Sequence, residues 1–301
     1  MLTIKSHRKV SHVYERSIRS LGKELQNKHN SHLLIDRKVL QLYPHLQNLR
    51  PHCLSFIPIQ AIEKNKSFDY AYKIIAQISK NTIAKDHHLI VIGGGLCHDL
   101  GSFIASILLR GIPWTYVPTT LLAQVDVCVG GKSGINFSKR KNFLGTFNSA
   151  DEVILCNEFI HSLPIQELYS GAGEIFKTMI LKNPRLPTYM KKPDWITKDP
   201  IRLKKVILQC LRVKKKYVER DEFDVHVRRH LNLGHTFGHA LESSSNFSIP
   251  HGICVNFGLQ WMLKLSQRKL NLSKTIATHN LEILQNYVLH YQPDYKPHQL
   301  S

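Results

Sequence analysis

The fold is decided by the stretch Leu89-Ile90-Val91-Ile92-Gly93-Gly94-Gly95-Leu96-Cys97-His98-Asp99. An apolar, mostly β-branched run that ends in glycines is typical of a buried strand followed by a tight turn. A helix beginning after the glycines would place bare backbone N–H groups at its N-terminus, a geometry that binds phosphate. The dinucleotide fingerprint G-x-G-x-x-G is incomplete, because His98 stands where its last glycine would be. The stretch alone leaves a cofactor-binding turn and a purely structural turn both open.

The segments around this turn alternate between strand and helix patterns. Strands are predicted over 32–35, 88–92, 114–117 and 153–155, and helices over 68–83 and 99–109. Such alternation predicts a parallel sheet of the nucleotide-binding type.

Beyond about residue 158, helical periodicity replaces the strand patterns. Helices are predicted over 164–181, 201–219, 230–244 and 255–270. We therefore predict an α/β domain over 1–158 and a helical domain over 159–301. A cleft between two such domains is a usual place for a small-molecule site.

The bulk composition is that of a globular protein. The chain has 301 residues, of which 43% are hydrophobic and 21% are charged, which excludes an intrinsically disordered chain. Apolar runs stay well below the roughly 18–20 residues of a membrane span, and the basic N-terminus lacks the apolar core of an export signal. The six cysteines are far apart and include no C-x-x-C, so a disulfide framework is not expected. These features predict a cytoplasmic protein without a membrane partner.

The net charge of +19 indicates anionic partners. Nucleic acid, anionic lipid and phosphorylated or carboxylated small molecules all fit, and so does a basic surface that merely faces solvent. The sequence contains no helix-turn-helix, zinc-finger or aromatic-basic signature, so no nucleic-acid partner is expected.

A second glycine motif, Gly130-Gly131-Lys132, combines flexible backbone with a cation. It resembles the end of a P-loop, but Asp126 stands where the first P-loop glycine would be. The motif suits a phosphate or a carboxylate without being specific for either.

A histidine pair suggests a metal site. His235 and His239 are spaced i, i+4, so a helix would place them on one face, and His251 and Glu174 could add further ligands. A His/His/Glu set with an open position would suit catalytic zinc. Because the chain contains 18 histidines, ordinary surface or core histidines remain the alternative at this point.

Taken together, these motifs closely resemble the 3-dehydroquinate synthase family of sugar-phosphate cyclases. The resemblance runs from about residue 63 to about residue 265 and depends on many motifs in a fixed order. Besides those quoted above, it includes Arg110-Gly111-Ile112-Pro113, Pro118-Thr119-Thr120-Leu121-Leu122-Ala123-Gln124-Val125-Asp126, Gly134-Ile135-Asn136, Lys141-Asn142, Gly173-Glu174 with Lys177, Leu231-Asn232-Leu233-Gly234-His235-Thr236-Phe237-Gly238-His239-Ala240-Leu241-Glu242, and His251-Gly252.

The resemblance implies a fold and an activity. The fold is an α/β, Rossmann-like NAD-binding domain followed by an all-α metal-binding domain. The activity is a lyase reaction that converts 3-deoxy-D-arabino-heptulosonate 7-phosphate to 3-dehydroquinate and phosphate, a step in aromatic amino acid biosynthesis. The implied cofactors are NAD+ and Zn2+ or Co2+, the implied partner is a phosphorylated sugar-acid substrate, and the implied assembly is a homodimer.

The resemblance also implies roles for individual residues. The metal ligands would be Glu174, His235 and His251, with His239 as an active-site histidine rather than a ligand. The remaining catalytic or substrate-contacting positions would be Lys132, Asn142, Lys177, Lys214, Arg228, Asn232 and, across a dimer interface, Arg110. The cofactor positions would be Asp36, Glu63, Lys66, Gly94, Gly95, Asp99, Thr119, Thr120, Leu122, Asp126, Lys141, Phe159, Ser162, Leu163 and Glu167.

Several positions depart from the family pattern. His98 replaces a glycine beside the turn, Val127 replaces a small hydroxyl residue, Asp224 shortens an acidic side chain, and Ile253 replaces an acid after His251-Gly252. Family chains also continue with further helices and a late Asp-Lys-Lys stretch, which residues 277–301 do not contain. These departures leave two alternatives open: a related cyclase acting on another sugar phosphate, and a non-catalytic paralogue that retains the fold.

Overall fold

The computed structural model describes residues 1–6, 9–138, 140–246 and 248–291, with side chains as far as residue 288. Of the stretch 277–301, residues 292–301 lie outside the described residues. The chain divides into two compact units, Met1–Ser162 with Val218–Phe223 and Leu163–Tyr217 with Asp224–Ser301. The sequence placed 218–223 in the second domain, whereas their contacts place them in the first unit.

The first unit is built around a seven-stranded sheet. Its strands are β1 (Leu2–Lys5), β2 (Val10–Glu15), β3 (Ser31–Asp36), β4 (Ser55–Ile59), β5 (His88–Gly93), β6 (Trp114–Pro118) and β9 (Glu152–Leu155). The strand order is β1-β2-β9-β6-β5-β3-β4, and every neighbouring pair is parallel except β1 with β2. A separate hairpin joins β7 (Ile135–Phe137) to β8 (Arg140–Leu144). The predicted α/β fold with a parallel sheet is confirmed.

The quoted glycine stretch lies at the centre of this sheet. Residues Leu89 to Ile92 of β5 are at most 1% exposed. A parallel strand covered by helices on both faces needs such a continuous apolar run rather than an alternating one. The helices of this unit are α1 (Ile18–Gln26), α2 (Arg37–Leu42), α3 (Phe68–Ile78) and α4 (Gly95–Ile107).

Two predicted helices of this unit have different ends in the structure. The helix predicted over 99–109 begins at Gly95 and ends at Ile107, because Leu109 and Arg110 adopt left-handed backbone angles, φ 49° and 68°. The helix predicted over 68–83 ends at Ile78. The apolar spacing located both helices but did not reveal where their backbones leave the helical conformation.

The second unit is helical. It comprises α5 (Ile165–Lys182), α6 (Trp195–Lys198), most of α7 (Pro200–Arg220), α8 (His235–Ser244), α9 (His251–Lys269) and α10 (Lys274–Tyr291). Within its described part we find no strand, as predicted. None of the described helices of the chain has the length and apolar character that a bilayer span requires.

The helix predicted over 230–244 is wrong in its first turn. A short 3-10 helix covers Val227–Asn232, and α8 begins only at His235. Between them Gly234 has φ 80°, and a Cβ there would lie 3.1 Å from the carbonyl oxygen of Val255. A left-handed residue packed this closely against α9 interrupts the helix and favours glycine.

Two histidines near the amino ends of β3 and β5 are shielded from water in the sheet unit, His32 being fully buried and His88 half-buried. His32 Nδ1 lies 3.0 Å from Ser55 Oγ, and His88 Nε2 lies 2.6 Å from Thr115 Oγ1, which donates in turn to Glu152. Burial lowers the pKa of both histidines to about 4; for His88 the nearby Lys28 adds to this effect, while Glu152 opposes it.

This burial predicts a loss of stability in acid. An unfolded histidine titrates near pH 6.5, so between about pH 6.5 and 4 the unfolded chain binds more protons than the folded one. We expect the free energy of unfolding to fall on acidification by at most about 1.4 kcal/mol per pH unit for each such histidine. Urea titrations at pH 7 and pH 5 measure the slope. It should become shallower in His88→Gln and stay unchanged in the control His29→Gln, which alters an exposed histidine; equal slopes in all three proteins would contradict this assignment.

Candidate active site

A buried ion pair on α5 forms one wall of the candidate metal site. Glu174 and Lys177 are each 2% exposed, and Lys177 Nζ contacts Glu174 Oε2. Their i, i+3 spacing places both side chains on one face of the helix. Burial acts to raise the pKa of Glu174, but Lys177 and the neighbouring histidines lower it more strongly, to well below its usual range. The carboxyl group is therefore an anion at neutral pH.

Three histidines gather beside this carboxylate. His235 and His239 lie one turn apart on α8, and His251 is the first residue of α9. Their ring centroids are 5.1–5.7 Å apart, and one nitrogen from each ring lies within 4.8 Å of the others. The structure thus brings together the histidines that the sequence left open as ligands or ordinary histidines.

The Glu174 carboxylate faces two of these rings. Glu174 Oε1 lies 3.3 Å from His251 Nε2 and 3.7 Å from His235 Nε2. Both of its oxygens are buried and lack a hydrogen bond of good geometry. A buried carboxylate with one oxygen facing two imidazole nitrogens in this way is a donor set that fits a divalent ion such as zinc.

The charges of the three histidines differ. Burial lowers the pKa of His235 to about 4, against the opposing effect of Glu174, and burial also lowers that of His239. Burial would likewise lower the pKa of His251, but its contacts with Glu174 and Glu242 raise it to about 9. The site without a metal therefore holds one imidazolium and two neutral rings at neutral pH, and zinc would bind only in exchange for the His251 proton.

A close helix crossing holds the carboxylate and His251 together. A Cβ on Gly173 would overlap the carbonyl oxygen of Gly252, and a Cβ on Gly252 would overlap that of Ser170. Ser170 Oγ also accepts from the backbone N–H of Gly252 at 3.2 Å. Because the two glycines adjoin Glu174 and His251, the helix backbones α5 and α9 set the distance between these two side chains.

Buried cations are a further feature of the helical unit. Lys177, Lys214 and Arg228 are between 2% and 7% exposed, although long cationic side chains are rarely buried. The predicted contact residue Asn232 ends the 3-10 helix and is exposed. Such cations suit a ligand that carries phosphate and carboxylate groups.

The candidate cofactor turn belongs to the first unit. Gly94 is the N-cap of α4, and the Tyr116 hydroxyl lies 3.1 Å from the carbonyl oxygens of both Gly93 and Gly94. His98 points into the core, where its ring packs against Trp114 and Tyr116 at 5.4 and 4.8 Å. The histidine that breaks the glycine fingerprint thus packs within the protein, and the backbone N–H groups at the start of α4 remain suited to a pyrophosphate.

Lys66 joins a predicted cofactor residue to a predicted substrate residue. Its Nζ lies 2.5 Å from Asp99 Oδ2 and donates to Asn142 Oδ1 at 2.7 Å. On the same hairpin, Asn136 accepts from the Asn142 N–H and donates to Glu63, which also pairs with Lys141. The network connects the β7–β8 hairpin to α4 and to the segment between β4 and α3 that contains Glu63 and Lys66.

The remaining predicted residues are distributed over both units. Asp36 caps α2 by accepting from Lys38 N, and the Ser162 and Tyr43 hydroxyl oxygens lie 3.0 Å apart beside buried Phe159. The other predicted positions of the first unit are Gly95, Arg110, Thr119, Thr120, Leu122, Asp126 and Lys132, and those of the second are Leu163 and Glu167 at the start of α5.

Sequence reasoning missed the roles of Asn136 and Glu242. Glu242 Oε2 lies 3.4 Å from His251 Nδ1. It follows His235 by seven residues on α8, so helical spacing alone would have placed it on the histidine face. Asn136 belongs to a motif that the family resemblance includes, but the sequence gave it no role, because its partner Glu63 is distant in the chain.

Two family models together match the chain from residue 56 to residue 301. The model described as 3-dehydroquinate synthase N-terminal matches residues 56–170, and the one described as 3-dehydroquinate synthase C-terminal matches residues 171–301.

Curated relatives agree with these matches. The chain is 34% identical over 264 residues to a 3-dehydroquinate synthase of Sulfurisphaera tokodaii, covering 85% of this chain and 75% of the relative. It is 32% identical over 275 residues to that of Saccharolobus solfataricus, covering 90% and 77%.

Solved structures confirm the fold. A 2-deoxy-scyllo-inosose synthase complexed with carbaglucose-6-phosphate, NAD+ and Co2+ has a TM-score of 0.83 at 20% identity, covering 97% of this chain and 84% of that one. A 2-epi-5-epi-valiolone synthase from Streptomyces hygroscopicus with NAD+ and Zn2+ bound has a TM-score of 0.82 at 20% identity, covering 98% and 86%. At these identities the likeness shows a shared fold.

Proposed function

Because the chain belongs to the 3-dehydroquinate synthase family, we propose that it converts 3-deoxy-D-arabino-heptulosonate 7-phosphate to 3-dehydroquinate and phosphate. The observation that carries the proposal is the convergence of Glu174, His235 and His251 on one point in the helical unit. A non-catalytic paralogue would have no need to keep a buried carboxylate and two imidazole nitrogens together as a metal-binding set.

Glu174, His235 and His251 would hold the metal, with Zn2+ or Co2+ as the ion. A bound divalent ion supplies a Lewis acid that orients substrate hydroxyl groups and makes one of them easier to oxidise. The protein's own contribution is a preorganised donor set: the carboxylate is kept ionised by Lys177, and α5 and α9 hold it at a fixed distance from the first residue of α9.

The N-terminus of α4, with Lys66 and Asp99, would hold NAD+. The bound dinucleotide supplies a reversible hydride acceptor, so the overall reaction eliminates phosphate with no net redox change. Lys66 would hold the Asp99 carboxylate in place for NAD+ binding. Its second contact would hold the Asn142 side chain in place for the substrate. Lys177, Lys214 and Arg228 would bind the anionic groups of the substrate.

The proposal includes a homodimer located in the cytoplasm. Arg110 is exposed and lies in a turn with Leu109 and Gly111 in which all three residues have positive φ. Backbone strain of this kind is typical of residues with a functional constraint, and contact with the substrate of a second copy would supply one.

The proposal is tested by phosphate release from 3-deoxy-D-arabino-heptulosonate 7-phosphate, with purified protein, NAD+ and zinc or cobalt. Release that requires both the metal and NAD+ is the expected result. Absence of release from a protein that binds both would assign the chain to a cyclase acting on another sugar phosphate. Absence of release from a protein that binds neither would identify a non-catalytic paralogue.

A further inference from the structure

Glu242 contacts the side of His251 that faces away from Glu174. Its Oε2 lies 3.4 Å from His251 Nδ1, whereas His251 Nε2 lies 3.3 Å from Glu174 Oε1. Glu242 itself is on α8, the helix that carries His235 and His239. The imidazole of His251 is therefore held between two carboxylates, one at each nitrogen.

His235 shows the same pattern with a different partner. Its Nδ1 lies 3.3 Å from the carbonyl oxygen of Leu233, and its Nε2 faces Glu174. In both residues an acceptor lies at Nδ1, so a neutral ring keeps its proton there and presents the Nε2 lone pair to the site. The Nδ1 partner of His235 is the backbone carbonyl of Leu233, whereas the Nδ1 partner of His251 is the Glu242 side chain, which a substitution can remove.

We propose that Glu242 is a positioning residue that fixes the tautomer and orientation of His251 for metal binding. The inference rests on the proposed function only in taking Glu174, His235 and His251 as the metal site. A carboxylate that accepts the other N–H of a ligating imidazole orients the ring and makes it a better donor, and its removal typically lowers metal affinity about 10–100-fold.

The test compares zinc affinities of purified, metal-free proteins by competition with a chromogenic chelator. Glu242→Leu is expected to weaken zinc binding toward the upper end of the 10–100-fold range. Glu242→Gln, which keeps an acceptor oxygen but no charge, is expected to fall near the lower end. The control is Glu282→Gln on α10, which makes the same chemical change in a carboxylate paired with Lys191, and it should bind zinc like the wild type.

Two further readouts separate positioning from a general structural role. Far-ultraviolet circular dichroism of the metal-free variants should match that of the wild type, because Glu242 is not needed for the helices to form. Nitrogen-15 NMR of the zinc-loaded wild type, with the His251 signals assigned by comparison with His251→Gln, should show the proton on Nδ1.

The outcomes distinguish this inference from the proposed function. A wild-type protein that binds no zinc would overturn the metal site and the inference with it. A wild type that binds zinc, together with a Glu242→Leu protein of equal affinity or a His251 proton on Nε2, would overturn the role of Glu242 alone.

Discussion

His235→Ala is expected to abolish zinc- and NAD+-dependent phosphate release, with a loss of at least about a thousandfold. His235 places Nε2 3.7 Å from Glu174 Oε1, and alanine would leave a bound ion with two of the three proposed protein ligands. A thousandfold loss corresponds to about 4 kcal/mol of transition-state stabilisation. Zinc affinity, measured by chelator competition, should fall in parallel.

The matched control is His29→Ala, which removes an exposed histidine from the sheet unit. It should release phosphate and bind zinc like the wild type. NAD+ binding, followed by fluorescence titration, should persist in both variants, because the predicted cofactor residues at α4 and Lys66 are unchanged. Phosphate release retained by His235→Ala would exclude this histidine from the metal site.

Gly252→Ala is expected to destabilise the protein strongly although it adds only a single methyl group. The new Cβ would overlap the carbonyl oxygen of Ser170 on α5, and neither backbone can move without separating the two helices. We expect the free energy of unfolding to fall by about 3 kcal/mol or more, at the upper end of the range for overpacking. Zinc affinity should also fall, because Gly252 follows His251 and Ser170 lies one turn before Glu174.

Gly22→Ala is the control for this substitution. Gly22 lies within α1, and a Cβ there would have no atom within 4 Å. Alanine at such a helical position should raise the free energy of unfolding by about 0.5–1 kcal/mol. Urea denaturation of both variants should show that the free energy of unfolding decreases in Gly252→Ala and increases in Gly22→Ala. A Gly252→Ala protein as stable as the wild type would show that α5 and α9 are not in backbone contact.

Local patterns predicted most of the regular elements near the site. The apolar run ending in glycines located β5 and α4, and apolar residues at helical spacing located α5, α7 and α9. They did not reveal β2, where Val10 is exposed and buried Ser11 and Val13 alternate with exposed His12. A six-residue strand with so few apolar residues acquires its structure from pairing with β9, which lies more than a hundred residues later.

At the candidate metal site, too, the sequence predicted some features and not others. The order of its motifs in the sequence identified the family and named Glu174, His235 and His251. Their spacing could not distinguish ligands from ordinary histidines, and it gave no role to Glu242. The side-chain distances on which the proposed roles rest depend on how α5, α8 and α9 pack.

By itself, then, the sequence determined the α/β and helical halves, the glycine turn and the family, because periodicity, turn chemistry and motif order are properties of neighbouring residues. The tertiary structure alone decided which nitrogen of His251 faces Glu174, where His98 packs, and how Lys66 joins Asp99 to Asn142. These contacts join segments that are distant in the chain, and they exist only once packing, such as the crossing of α5 and α9 at Gly173 and Gly252, brings those segments together.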